Sequence, residues 1–69
     1  MDKPLQDWIN AHRFAALAKI SVRMAREALK LAHVGKPWRG FDLTVRLMSG
    51  NGGLQYQVSV DSLPEWMRP

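Results

Sequence analysis

The apolar positions of this chain change their period once. As far as His33 they recur with the helical repeat, and from Phe41 onward they alternate. Ala11, Phe14, Leu17 and Ala18 form one stripe, with His12, Arg13, Ala16 and Lys19 elsewhere on the wheel, which predicts a short amphipathic helix over 11–19. Asn10 is placed to cap it, although no Glu stands three residues later to complete a capping box. Ile20 then plugs a turn, and Ser21 can cap a second helix over 22–33. In that helix Ala25, Ala28, Leu29 and Ala32 share one side and Arg23, Glu27 and Lys30 the other, with Arg26 on a flank and Met24 and Leu31 as a minor apolar strip. Gly35 suits its left-handed end, and Pro37 follows. Turns of this kind commonly carry Gly near the position of Lys19; Lys in left-handed backbone costs roughly 1 kcal/mol, so a different turn geometry is the expectation there. Before the first helix, Leu5 to Ile9 opens the fold, and Asp7-Trp8-Ile9 reads either as a short strand or as an extended lead-in.

The segment 35–40, punctuated by Gly35, Pro37 and Gly40, reads as a linker. Beyond it Phe41, Leu43, Val45 and Leu47 alternate with Asp42, Thr44, Arg46 and Met48, and Leu54, Tyr56, Val58 and Val60 with Gln55, Gln57, Ser59 and Asp61. These predict two half-buried strands joined through the glycine-rich stretch from Ser49 to Gly53. With both apolar sets on one face, the register predicted is Phe41 opposite Val60, Leu43 opposite Val58, Val45 opposite Tyr56 and Leu47 opposite Leu54. An isolated hairpin is marginal, so its apolar face must lie on the helices. Ser62 followed by Pro64 and Glu65 predicts a capping box opening a short C-terminal helical turn.

At 69 residues the chain is one small domain with little room for a deep catalytic cleft. It has no cysteine, so packing must hold it together without a disulfide or a thiolate metal site, and a reducing, cytoplasmic setting is the expectation. No apolar run approaches a membrane span, and the start Met1-Asp2-Lys3-Pro4 lacks the basic and apolar regions of a signal peptide. The net charge of +4 is unevenly spread: from Arg13 to Arg46 there are eight Lys or Arg against Glu27 and Asp42. A basic middle admits two readings, a nucleic-acid binder or a solvated surface.

Two helices followed by a hairpin give the outline of a small α+β winged helix-turn-helix: two main helices, a two-stranded antiparallel wing and a short C-terminal helical turn. Its logic is that one helix enters the major groove while the hairpin tip reaches along the backbone or into the minor groove. Ser21, Arg23, Arg26, Glu27 and Lys30 are the residues expected at double-stranded DNA, with Lys36, Arg39, Arg46 and Asn51 as further contacts. A hydroxyl at a helix start suits phosphate, Arg pairs with guanine and Glu accepts from cytosine. Against this stands a solvated helix face with an internal Arg23 to Glu27 ion pair. The tip from Gly50 to Gly53 is uncharged, so it reads equally as a plain turn or as a minor-groove tip in which Asn51 and backbone amides make the contacts. Nothing in the chain has the spacing of a catalytic, cofactor or metal site: His12 and His33 lack ligand partners at suitable spacing, the acids are scattered, and the glycine-rich loop has no P-loop lysine. Trp8, Trp38 and Trp66 read as covers of the core.

Trp8-Ile-Asn-Ala-His-Arg-Phe-Ala-Ala-Leu17, the helix pair, and the Gly50-Asn-Gly-Gly53 loop leading to Tyr56 and closing on Ser62-Leu-Pro64 together resemble the Mu-type helix-turn-helix domain. That domain stands at the N-terminus of phage Mu-like transposases and in related phage repressors. The resemblance spans nearly the whole chain. It implies a non-enzymatic winged-helix module for 1–69, cut from the N-terminus of a longer bacterial or prophage protein, that binds a specific duplex site at the nucleoid and helps other domains or protomers assemble a transposition complex. It places Arg23, Arg26, Glu27 and Lys30 on the family's second helix and Ser49 to Gly53 on its wing, where relatives often carry Lys or Arg and this chain does not. A free-standing repressor or excisionase-like regulator is the alternative within the class. A protein-interaction module docking through Met24, Leu31 and Trp38 is the alternative outside it.

Overall fold

The computed structural model describes residues 7–50 and 52–68; Leu5 and Asn51, both assigned places in the sequence reading, lie outside the described residues. The architecture is a small α+β domain of two helices against a three-stranded antiparallel sheet. The elements are β1 (Trp8–Asn10), α1 (Ala11–Ala18), α2 (Val22–His33), β2 (Val45–Gly50) and β3 (Gly53–Ser59). Two single-turn 3-10 helices, Val60–Ser62 and Glu65–Met67, follow.

Both helices start as their caps dictate. Asn10 Oδ1 accepts from Arg13 N at 2.8 Å and Ser21 Oγ from Met24 N at 3.1 Å, so each side chain satisfies one of the first-turn amides that have no partner within the helix. Both also end alike. Lys19 and Gly35 take left-handed backbone, at φ 60° and 97°, and the following residue bonds five back, Ile20 N to Ala15 O and Lys36 N to Leu31 O, each at 3.0 Å. The chain therefore keeps the left-handed turn at Lys19 despite its cost, and Ile20 turned into the core helps offset it.

Where the sequence left two possibilities open at Asp7-Trp8-Ile9, the structure forms a strand. Trp8, Ile9 and Asn10 pair with Ser59, Val58 and Gln57, so the sheet has three strands in the order β1-β3-β2 and not the two of a bare hairpin. The hairpin register also differs from the predicted one. Val45 pairs with Val58, Leu47 with Tyr56 and Ser49 with Leu54, two residues away from the expected partners. A slip of two keeps every side chain on its face, so the hydrophobic pattern cannot distinguish the registers. The turn positions differ: Gly50 pairs with Gly53, so positions 51 and 52, an Asn-Gly pair of the kind primed two-residue turns favour, fall between the strands, where the predicted register would put positions 50 and 51.

The predicted pairs of Phe41 with Val60 and Leu43 with Val58 do not form, because the segment read as a linker has structure of its own. Trp38 and Phe41 exchange both backbone hydrogen bonds at 2.9 Å around Arg39 and Gly40, whose φ values of 50° and 84° make a tight primed turn. That turn presses the Trp38 ring edge-on against Phe14, 5.1 Å between centroids, and leads Leu43 into the core.

The core is built from Ala11, Phe14, Ala15 and Ala18 of α1, Ala25, Ala28, Leu29 and Ala32 of α2, then Leu43, Val58, Leu63 and Met67. The small residues let the helices approach closely, as their clustering on the wheel implies. Ala15 takes the place expected of Leu17, which is half-buried at the edge. The C-terminal segment is a structural part of this core, with Leu63 and Met67 almost fully enclosed. Ser62 does not cap the last turn as predicted; Pro64 holds the cap position with no side-chain bond. Ser62 Oγ instead accepts from Thr44 N at 2.9 Å and donates to Ser59 O at 2.7 Å, tying the entry of β2 to the exit of β3. Arg68 closes the segment, donating from Nε to Leu63 O and from Nη2 to Asp61 O. No helix among the described residues is long and apolar enough to cross a membrane.

Candidate nucleic-acid interface

The outward face of α2 follows directly from what its inward face buries. With Ala25, Ala28, Leu29 and Ala32 turned to the core, the 100° step between residues sends Arg23, Glu27 and Lys30 to the opposite side, where all three are exposed. Among the described residues none of the three has a side-chain hydrogen bond or ion pair. The Arg23 to Glu27 pair that their spacing permits is not formed, so both guanidinium and carboxylate stand free at the surface. Lys30 and His33 occupy the last turn, where the Lys30 cation complements the negative end of the helix. Ser21, at the other end, spends an acceptor site on Met24 N and keeps its hydroxyl proton to donate outward.

Arg26 points elsewhere. It lines an open groove of about 530 Å³ whose other walls are Asn10 and His12 at the start of α1 and Gly52, Leu54 and Tyr56 along the hairpin. On the same flank of α2, the His33 ring meets the Tyr56 ring edge-on at 5.6 Å between centroids. The structure thus divides the expected α2 set into a free outward trio and one cation in the cleft between helix and hairpin. His12 joins that cleft only because β1 pairs with β3 and brings the start of α1 beside Tyr56; no sequence spacing announces it.

The remaining basic residues separate. Lys36 is exposed just beyond α2. Arg39 lies with its guanidinium 4.7 Å from the centroid of the Trp38 ring. Arg46 is half-buried on the face of the sheet opposite Val45 and Leu47, where its Nε donates to Gln57 Oε1 at 2.9 Å and its guanidinium covers Trp8. It is therefore engaged across the sheet and is not gathered with the α2 trio. Asn51 lies outside the described residues. Trp38 is a half-buried cover of the core as expected, whereas Trp8, also half-buried, lies under Arg46 on the face of the sheet away from the core, and Trp66 is 59% exposed and only leans toward Trp38 at 6.5 Å. Met24 and Leu31 keep 57% and 40% of their surface exposed on the second flank of α2.

Chemically, the α2 face offers two long cations and a carboxylate in one row on a rigid element, with a further cation in a cleft that a projecting hairpin overhangs. Such a row can bind phosphates and read base edges. No known protein family matches the chain, and no curated protein or solved structure matches it either.

Proposed function

We propose that the chain is a sequence-specific double-stranded DNA-binding domain in which α1 and α2 act as a helix-turn-helix and the β2–β3 hairpin as its wing. The observation that carries this reading is the unpaired row of Arg23, Glu27 and Lys30 on the solvent side of α2. A helix about 10–12 Å across fits the major groove, and from there Arg23 would pair with a guanine edge, Glu27 accept from a cytosine and Lys30 meet a phosphate. Arg26, in the cleft beside the hairpin, would take a backbone phosphate between helix and wing, and Lys36 another beyond the helix end. With Arg46 engaged over Trp8, the hairpin brings no free cation of its own, which leaves α2 and its flanks to supply affinity.

Within this reading we assign the domain to a Mu-like transposase, acting in DNA transposition at the N-terminus of a longer chain, with a free-standing phage repressor or excisionase-like regulator as the alternative parent. The assignment rests on the residues of the resemblance, and their structural roles support it. Gly50 and Gly53 close the hairpin, Ser62 ties its base and Leu63 fills the core. They are residues that a shared fold would require.

The test is selection of bound duplexes from a random pool, followed by titration of the selected site. The expected outcome is saturable binding whose log affinity falls against log salt with a slope of roughly −5, as about six phosphate contacts would give. Arg23→Ala should weaken the selected site by about 1–3 kcal/mol and relax preference at one base pair, while Lys30→Ala lowers affinity evenly across sequences. If neutralising Arg23, Arg26, Lys30 and Lys36 together left the affinity unchanged, the reading would be lost. Perturbation confined to Met24, Leu31 and Trp38 when a protein partner is added, with none on adding duplex, would point to an interaction module instead.

A further inference from the structure

In the strand order β1-β3-β2 the outer edge of β2 carries no neighbour. The bond from Ser59 N to Thr44 O, at 2.8 Å, shows that Thr44 turns its backbone groups toward β3. Along an antiparallel strand this direction alternates, so Arg46, Met48 and Gly50 also face β3, and Val45, Leu47 and Ser49 present their N–H and C=O groups outward. Among the described residues no backbone bond from another element reaches those three.

Free edges of this kind are usually guarded by a proline, a lysine, an inward charge or a bulge. From Val45 to Gly50 there is none of these: the pairing with β3 runs without a break, and the single charge, Arg46, is drawn over Trp8 on the sheet face. The middle of β2 is exposed and apolar, with Leu47 at 38% and Met48 at 40%. The other edge strand, β1, is only three residues long, so β2 is the longer template.

We propose that β2 is an interaction edge for a second copy of this chain, which adds its own β2 antiparallel about a two-fold axis at Leu47. That pairing is self-complementary. Leu47 exchanges backbone bonds with the partner's Leu47, and Val45 lies opposite the partner's Ser49. On the other face Arg46 falls opposite the partner's Met48 and not the partner's Arg46, so no like charges meet across the new ladder. An unrelated strand would have to supply that match by chance, whereas the same strand supplies it by symmetry. The paired segment lies within the six residues of β2, so the dimer is expected to be reversible and concentration-dependent.

The experiment uses the full chain without DNA, so its outcome is independent of the DNA-binding reading. Sedimentation velocity from micromolar to millimolar concentration should show the mass rising from 7.9 kDa toward twice that value. Over the same range, amide exchange at Val45, Leu47 and Ser49 should slow while that at Arg46 and Met48 stays constant. Leu47→Lys, at an exposed position, sets two cations face to face and should weaken association by roughly tenfold. A mass that stays at one copy throughout overturns the proposal. So does association with unchanged exchange at the three outward amides, a result that wild-type protein delivers whatever the variant does.

Discussion

The guanidinium carbon of Arg46 stands 4.1 Å from the centroid of the Trp8 ring, with β3 lying between the two strands that carry them. The same side chain donates to Gln57 Oε1, so one arginine ties all three strands on the outer face of the sheet. Arg46→Ala should therefore act first on stability, lowering it by about 1–2 kcal/mol in urea unfolding. Its effect on DNA affinity, measured under conditions where the variant remains folded, should be smaller than that of Arg23→Ala. Arg46→Lys should recover only part of the lost stability, because an ammonium lacks the planar fork that stacks and donates at once.

The two helix ends allow a paired test of backbone strain. Lys19 and Gly35 hold the same left-handed role, and a Cβ at Gly35 would meet nothing within 4 Å, so only the dihedral matters there. Gly35→Ala should destabilise by about 1 kcal/mol, and Lys19→Gly should stabilise by up to about 1 kcal/mol, both read from thermal or urea midpoints. Equal losses from both changes would contradict the assignment of strain to the left-handed backbone.

Ser62 is expected to matter through Thr44 and not through the last helical turn. Ser62→Ala removes both the acceptor for Thr44 N and the donor to Ser59 O, and should cost about 1 kcal/mol or more. The amide of Thr44 should then exchange faster with solvent while the turn at Glu65–Met67 keeps its chemical shifts.

Leu63 and Met67 should behave as core residues despite standing near the end of the sequence. Each is at most 2% exposed, so Leu63→Ala or Met67→Ala should cost about 2–5 kcal/mol. Trp66→Ala, at a side chain 59% exposed, should cost distinctly less, and equal losses at all three positions would show that the segment does not pack as described.

Much of this molecule is legible in its residues. The two helices, their caps at Asn10 and Ser21, the end at Gly35, the alanine side of α2 and the faces of both hairpin strands all follow from local chemistry: periodicity, a side-chain oxygen at a helix start, a glycine where φ is positive. These are decided within one or two turns of chain, and the neighbouring residues carry all the information needed. The same holds for the outward placement of Arg23, Glu27 and Lys30, which is the complement of what α2 buries.

Other features depend on partners far along the chain. Whether Trp8–Asn10 became a strand rested on an open edge of β3, and the hairpin register rested on two alignments that bury the same faces and differ in which two residues fall at the tip. Ser62 met a free amide at Thr44, eighteen positions away, before it could serve as a cap. Arg46 was claimed by Trp8 across the sheet, and Arg26 and His12 came to share a cleft because β1 draws the start of α1 against β3. In each case a polar or aromatic group had more than one local use, and the choice fell to whichever distant group the packed chain brought within hydrogen-bonding or van der Waals reach.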